Sequence, residues 1–298
     1  MENCLLIINP AAGNGLGRAV APELDWILAK SFAHTRLVFT RGEGDMGRII
    51  AQYHDQADAV FVAGGDGTLN EAVNALAAYQ FDLPLGYMPL GTVNDIGRVL
   101  KISQQPKEAL RQLSQLTLQA VDIGRLNDHY FMNVVAVGQI PEAVKDTKAE
   151  AKKRLGKLAY VADGVQAFFQ SNAQSYEIWL DGHQQLVETE LILICLTNSV
   201  GGLEHMVDQA RIDDGWLHLL ILKDRHSLEF VPELLQNAIQ GDISASKFVL
   251  YERAKHISLK ALDHSISSNV DGDAGPSLPI QVDVLPGQLK LLVPKSTT

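Results

Sequence analysis

The chain has 298 residues, 46% hydrophobic and 20% charged, enough for one large or two medium domains with a sizeable core. A formal net charge of -10 excludes a general nucleic-acid binder, which needs a basic field, so any anion must be caught by local geometry. The two cysteines, Cys4 and Cys195, each lie in an apolar strand-like run, which predicts buried thiols, no disulfide and a reducing, cytoplasmic setting.

The opening MENCLLIINP has no basic n-region and too short an apolar run for a signal peptide. No run reaches the roughly 18 residues of a membrane span. Through the first 120 residues, short apolar runs alternate with helical patterns. CLLIIN precedes a helix from about Gly17 to Lys30, and TRLVFT one near Gly44 to Tyr53. AVFVA (Ala59 to Ala63) runs through GGDGT into a helix from Leu69 to Tyr79, and LGYMPLGT is followed by two more helices ending near Thr117. Strands without polar alternation are buried on both faces, so this series predicts a doubly wound parallel sheet flanked by helices. In such sheets ligands sit beyond the carboxyl ends of the strands.

After Leu118 the pattern changes. LQAVDIGRL, HYFMNVVAVG, SYEIWLDG, ETELILICLTN, GWLHLLILK, KFVLYER, HISLKAL and PIQVDVLPG read as strands joined mostly by short turns. Helices are expected there only around Ala143 to Phe169 and Leu228 to Gln240. The second part is therefore a β-sandwich or barrel, and the change of pattern puts the domain boundary at residues 120 and 121.

The chemistry concentrates at strand ends. Gly64, Gly65, Asp66, Gly67 and Thr68 carry a strand straight into a helix start, leaving backbone N–H groups bare at the positive end of the helix dipole, where glycine allows close approach of a nucleotide phosphate. A carboxylate there would repel a phosphate, so Asp66 is expected to hold magnesium, directly or through water, or to take a proton from an attacking hydroxyl. The alternative is an ordinary turn with Asp66 as N-cap. Asn9, Pro10, Ala11, Ala12 and Gly13 follow the first strand, and the small residues to Gly17 suit a loop over phosphates, although NPxxG alone is more often just a turn. After the fourth strand, Thr92 and Asn94 can offer hydrogen bonds and Asp95 a carboxylate beside Asp66; alternatively Asn94 and Asp95 cap the next helix.

The order NPxxG, GGDGTLNE, PLGTxND resembles the diacylglycerol kinase catalytic family, in particular the soluble bacterial lipid kinases related to sphingosine and ceramide kinases. The resemblance extends through VDIG (Val121 to Gly124), Asn133 and Gly138, KRLGKLAY (Lys153 to Tyr160), Asn198 with Gly201 and Gly202, ARIDDGWL (Ala210 to Leu217) and VDGD (Val270 to Asp273). It implies an N-terminal nucleotide-binding α/β domain (residues 1–120) and a β-sandwich lipid-substrate domain (121–286), with the terminal LKLLVP in 287–298 returning to the first.

It further implies ATP contacts from Asn9 to Gly13, Thr40, Gly65, Asp66, Gly67, Thr68, Leu69, Asn70, Glu71 and Thr92. Asp66, Asp95 and Asp122 would form a network with water and Mg²⁺. A separate structural Mg²⁺ would be held by Asp214 with the carbonyls of Arg211 and Trp216. The family's proton acceptor is the Glu of a DGE segment, where this chain has Asp273. If that segment is extended, Asp271 and Asp273 face one side, with Asp273 as base and Asp271 as its orienting or metal-linked neighbour; alternatively Asp271 and Gly272 merely reverse the chain.

The expected activity is transfer of the γ-phosphate of ATP to a hydroxyl of diacylglycerol or a related lipid. The rivals are an NAD kinase-like enzyme, which shares the GGDG turn with Asn70 and Glu71, and a weakly active nucleotide- or lipid-binding regulator. Lys145, Lys148, Lys152, Lys153, Arg154 and Lys157 form either a solvated helix face or a patch for a transient anionic membrane surface on the inner face. Neither nucleic acid nor a catalytic zinc is expected, since the nine histidines lack ligand spacing. Trp26, Trp179 and Trp216 are expected in core or interdomain packing rather than in a lipid cage, and a homodimer is left open.

Overall fold

The computed structural model describes residues 1–138, 173–223 and 241–295, together with Glu233, Gln236 and Asn237. The lysine-rich stretch and the helix expected around Ala143 to Phe169 lie outside the described residues, as does most of the one expected around Leu228 to Gln240. The chain divides into two compact units, one of residues 1–123, 128–132 and 285–298, the other of 124–127 and 133–284.

The first unit runs β1 (Asn3–Ile8), α1 (Ala12–Leu28), β2 (His34–Phe39), α2 (Asp45–Tyr53), β3 (Ala59–Gly64), α3 (Asp66–Ala77), β4 (Leu85–Pro89), α4 (Asp95–Val99) and α5 (Pro106–Gln112). The strands lie in the order β2-β1-β3-β4, all parallel, with Ile8 beside Ala63 and Gly64 beside Pro89. Leu6, Ile8, Phe61 and Ala63 pack on one face with Leu24 and Leu28 of α1 and Leu110 of α5. Leu5, Ile7, Val60 and Val62 alternate with them and are equally buried, so they face the other side, as both faces of a doubly wound sheet require. Only β2, at the edge, departs from the expectation of double burial: its residues are half-buried or exposed.

Regular helix in α1 begins later than its hydrogen bonds do. Gly13, Asn14 and Gly15 all have positive φ, at 60°, 57° and 91°, so the loop after β1 is a left-handed turn leading into a helix near the expected Gly17. Trp26 does not pack in a core. It is 63% exposed on α1, with the Lys30 ammonium 3.6 Å over its ring, an i,i+4 cation–π pair.

The remaining strands are β5 (Leu116–Leu126), β6 (His129–Phe131), β7 (Val134–Gly138), β8 (Gln174–Leu180), β9 (His183–Thr189), β10 (Leu191–Cys195), β11 (Leu217–Leu222), β12 (Val249–Ala254), β13 (His256–Ala261), β14 (Ser267–Val270), β15 (Asp273–Ser277) and β16 (Ile280–Pro294). In the second unit, the first half of β16 pairs with β13, followed by β8 and β9, all antiparallel. A six-stranded antiparallel sheet has the order β12-β11-β10-β7-β14-β15. In the first unit, the far end of β16 returns, with Leu291 and Leu292 parallel to Leu85 and Gly86 of β4.

Sequence pattern located most of these strands but divided some differently. ETELILICLTN is the end of β9 and all of β10, broken at the buried Glu190. Trp179, at 38% exposure, also sits outside the core. Cys4 and Cys195 are buried free thiols, and burial first, then the nearby Asp25 carboxylate, pushes the Cys4 thiol up to about 12. Among the described residues no helix is long and apolar enough to cross a membrane.

Candidate functional site

Because β1, β2, β3 and β4 are parallel, their carboxyl ends open on one edge, and every phosphate-binding candidate of the first unit follows one of them. Thr40 leaves β2 with its N–H bonded to the Ile8 carbonyl at 3.0 Å. The loop after β1 is held by Asn9, whose Oδ1 accepts from Ala11 N at 3.0 Å and whose Nδ2 donates to Thr68 Oγ1 at 3.3 Å.

These loops touch through glycine backbone. A Cβ on Gly91 would lie 2.7 Å from Gly65 Cα, and one on Gly13 would lie 2.7 Å from the Leu90 carbonyl. No side chain fits between them, so the chain is bare where the loops meet. Gly65 is extended (φ -90°, ψ -172°) and α3 starts at the next residue, leaving its first amides at the helix N-terminus. Leu69 is buried and Thr68 lies against Gly64, so these two residues shape the turn with their side chains.

Asp66 reaches from the start of α3 to the neighbouring loop. Its Oδ2 accepts from Asn94 N at 2.7 Å and its Oδ1 from Asp95 N at 3.0 Å, so it caps the neighbouring α4 and ties the β3 turn to the β4 loop. Asp95 is itself buried. Tyr87 and Gln104, which carry no sequence signal, complete this corner through Asn94. Asn94, 3% exposed and in the left-handed region (φ 52°), accepts at Oδ1 from Gly91 N (2.8 Å) and from the Tyr87 hydroxyl (3.2 Å). Its Nδ2 donates to the Gly91 carbonyl (2.8 Å) and to Gln104 Oε1 (2.9 Å). All four hydrogen-bonding sites of the amide are thereby filled. Asn94 thus holds its own loop, where sequence reasoning had it offering bonds to a ligand; Thr92, exposed at the loop tip, is the residue of that loop open to one. Burial above all, then the Asp66 and Asp95 carboxylates, pushes the Tyr87 phenol well above its ordinary 10.

Asp122, on β5 and 4% exposed, accepts from Gly287 N at 2.8 Å, tying that strand to the returning C-terminal segment. Among the described residues no three His, Cys, Asp or Glu side chains gather as metal ligands, so Asp66, Asp95 and Asp122 do not form an acidic cage.

In the second unit, Asp271 and Gly272 are the turn of a two-residue hairpin. Both have positive φ, at 51° and 99°, and Val270 pairs with Asp273 across them. The segment is therefore not extended at this point, and the expectation that Asp271 and Asp273 point to one side is corrected. Asp271 Oδ1 accepts from Asn133 N (3.1 Å) and Val134 N (2.8 Å), the entry to β7.

The same device occurs at the β8–β9 turn. Asp181 (φ 46°) and Gly182 (φ 89°) reverse the chain, and Asp181 Oδ1 accepts from Lys255 N (3.0 Å) and His256 N (2.8 Å) at the entry to β13. This repetition marks Asp271 as a strand-pinning residue. Asp273 is exposed at the start of β15.

Among the expected structural magnesium ligands Arg211, Asp214 and Trp216, the carboxylate is held by the backbone amides of the other two. Asp214 accepts from Arg211 N and Trp216 N, each at 3.0 Å, and its Oδ2 lies 3.0 Å from Nε2 of the fully buried His218. His218 Nδ1 is 2.7 Å from the Tyr251 hydroxyl. Both ring nitrogens of His218 thus have a partner, the carboxylate on one side and the phenol on the other.

The comparisons with known proteins agree with this architecture. The profile of the diacylglycerol kinase catalytic domain matches residues 3–126, and that of the YegS C-terminal NAD kinase beta sandwich-like domain matches residues 133–293. The diacylglycerol kinases of Staphylococcus aureus strains JH9 and Newman are each 34% identical over 275 residues, 92% of this chain and 87% of theirs.

Two crystal structures from Bacillus anthracis str. Sterne, both 24% identical, share the fold. One gives a TM-score of 0.86 and covers 100% of this chain and 97% of that one. The other, titled as a diacylglycerol kinase, gives 0.81 and covers 100% and 99%. The class is thus an ATP-dependent phosphotransferase acting on a lipid. The chain belongs to the diacylglycerol kinase family.

Proposed function

We propose that this lipid kinase transfers the γ-phosphate of ATP to a free hydroxyl of diacylglycerol, working as a cytoplasmic protein at the inner, anionic face of a membrane. The observation that carries the reading is the stack of three glycine-backed loops at the carboxyl edge of the parallel sheet, which presents amides and the Thr92 hydroxyl to an anion. The name borne by the staphylococcal relatives supplies the acceptor.

In this reading Asn9 to Gly13, Thr40, Gly65, Gly67, Asn70, Glu71 and Thr92 border the nucleotide. Asp66 holds the Asn94 and Asp95 amides, so the two turns close on the phosphates as one piece. The hard oxygens of Asp66, Asp95 and Asp122 suit Mg²⁺ reached through water, with phosphate oxygens supplying most of its ligands because the carboxylates do not cluster. Bound there, the ion would neutralise charge developing in transfer. A second ion at Asp214 does not fit as well, since three N–H donors already surround that carboxylate, and no step is derived through it.

Asp273, exposed and clear of the strand-pinning pattern, is the proposed acceptor of the hydroxyl proton. Whether two copies associate is read by sedimentation of the purified protein. The test of function is transfer of label from γ-labelled ATP to a panel of lipids in mixed micelles, with NAD as a control acceptor. Label in phosphatidate supports the reading, and label on NAD alone rejects it.

A further inference from the structure

We infer that Tyr87 and Gln104 are positioning residues for phosphoryl transfer, acting through Asn94 on the loop that carries Thr92 and on the start of α4. The inference rests on the function proposed above.

The argument begins with an energetic oddity. A buried tyrosine hydroxyl on a central strand could be replaced by phenylalanine at no loss of apolar packing, yet Tyr87 is 1% exposed with its O–H shared between the Gly64 carbonyl (3.3 Å) and Asn94 Oδ1 (3.2 Å). Those acceptors belong to two different loops, the last residue of β3 and the residue before α4. One hydroxyl therefore fixes the spacing of both turns from beneath the sheet edge. Gln104 closes the other side, accepting from Asn94 Nδ2 at 2.9 Å while its own amide donates to the Ile102 carbonyl at 3.1 Å.

Asn94 is the element these two hold. Its amide pairs with both the N–H and the carbonyl of Gly91, closing a ring around Thr92 and Val93, and its backbone N–H reaches Asp66. The Val93 carbonyl accepts from Arg98 Nε at 2.9 Å, so the loop is anchored at both ends with Thr92 outward. A left-handed asparagine whose four amide sites are filled has one orientation, and the N–H groups of Asn94 and Asp95 are aimed by it. Removing either outer partner leaves Asn94 able to rotate without opening a cavity.

The experiment compares Tyr87→Phe, Gln104→Met, Asn94→Ala and the double variant Tyr87→Phe/Asn94→Ala with the wild type, using diacylglycerol mixed micelles. Loss of one buried hydrogen bond of this kind predicts roughly a tenfold fall in kcat for Tyr87→Phe and for Gln104→Met, with the KM for lipid within about twofold of wild type. Tyr87→Phe should add no further loss once Asn94 is alanine, because its effect runs through that residue.

A second readout needs no turnover. Titration with ATP and with adenosine should show the preference for ATP falling by roughly five- to tenfold in Tyr87→Phe, since only the phosphates meet the loop. A lowered melting temperature with unchanged kcat and unchanged ATP-to-adenosine preference would overturn the inference, as would additive losses in the double variant. If the wild type phosphorylates no lipid, the proposed function fails, and the nucleotide preference alone decides the positioning role.

Discussion

Replacing Asp66 by asparagine tests the corner on which the two glycine turns depend. The carboxylate accepts from the backbone N–H groups of Asn94 and Asp95, one on each oxygen. An amide offers one oxygen and turns an NH₂ toward the second N–H. An unsatisfied buried donor costs about 1–3 kcal/mol, and bonds to an ionised acceptor are roughly twice as strong as neutral ones, so a loss of about 2–3 kcal/mol is expected. Against a total stability of about 5–15 kcal/mol the variant stays folded, melting roughly 5–10 °C lower.

Activity should suffer far more. The Asp95 and Thr92 groups lose their register, and the negative charge that suits magnesium is gone, so turnover should fall by at least about 10²-fold. Label transfer to diacylglycerol, measured beside a thermal melt, reads both quantities. A folded variant with the wild-type rate would refute the role of Asp66 as cap and charge together; a chain unfolded at room temperature would refute the energetic estimate.

Further outcomes follow from the other carboxylates. Asp273→Asn should lower kcat by about 10²- to 10⁴-fold with ATP affinity retained, whereas Asp271→Asn should stay active and folded, because asparagine suits a left-handed turn and keeps the oxygen that pins β7; steady-state kinetics on both variants separates the roles. Asp214→Ala should melt several degrees lower, having lost two amide bonds and left buried His218 short of a partner, and the wild type should melt alike in Mg²⁺ and in EDTA.

His54, stacked on Tyr79 at 3.8 Å, titrates above its ordinary 6.5: burial alone would lower it, but hydrogen bonds to Asp82 and Asp55 outweigh that. Its folded value is raised, so its stabilisation is fully present below about pH 6.5 and lost as pH rises through the higher folded value. The melting-temperature difference between wild type and His54→Gln should therefore shrink as pH rises through that value.

The parallel sheet and its loops were legible because apolar runs ending in glycine carry their own geometry. GGDGT and PLGTVND read correctly as strand-to-helix turns on sequence alone. The hairpin at Asp271 and Gly272 was only half legible. An Asp-Gly pair is a two-residue turn signal, but the flanking SSNV and DAGPS lack apolar alternation and the second contains Gly275 and Pro276, so neither reads as a strand.

Likewise the polar start of β9, HQQ, hid a strand that only its pairing with β8 reveals. Tyr87 reads in sequence as one more core aromatic and Gln104 as loop, since nothing local says that residues 7 and 10 positions away from Asn94 meet at its side chain. Trp26 differs for the opposite reason: a large apolar residue reads as core or interdomain packing, and a lysine one turn on shelters it at the surface of its unit.

The final strand carries a consequence for anyone who would cut this protein into parts. Ile280 to Asp283 of β16 pair with β13 in the second unit, while Leu291 and Leu292 pair with β4 in the first. A boundary drawn between residues along the chain is thus not a boundary between folded bodies. A fragment ending before residue 285 would leave β4 with one side of its backbone unpaired, a template for adding a strand from another molecule. The first unit is completed only by residues beyond 285, so a chain stopped before them carries all three glycine loops on a sheet that is one strand short.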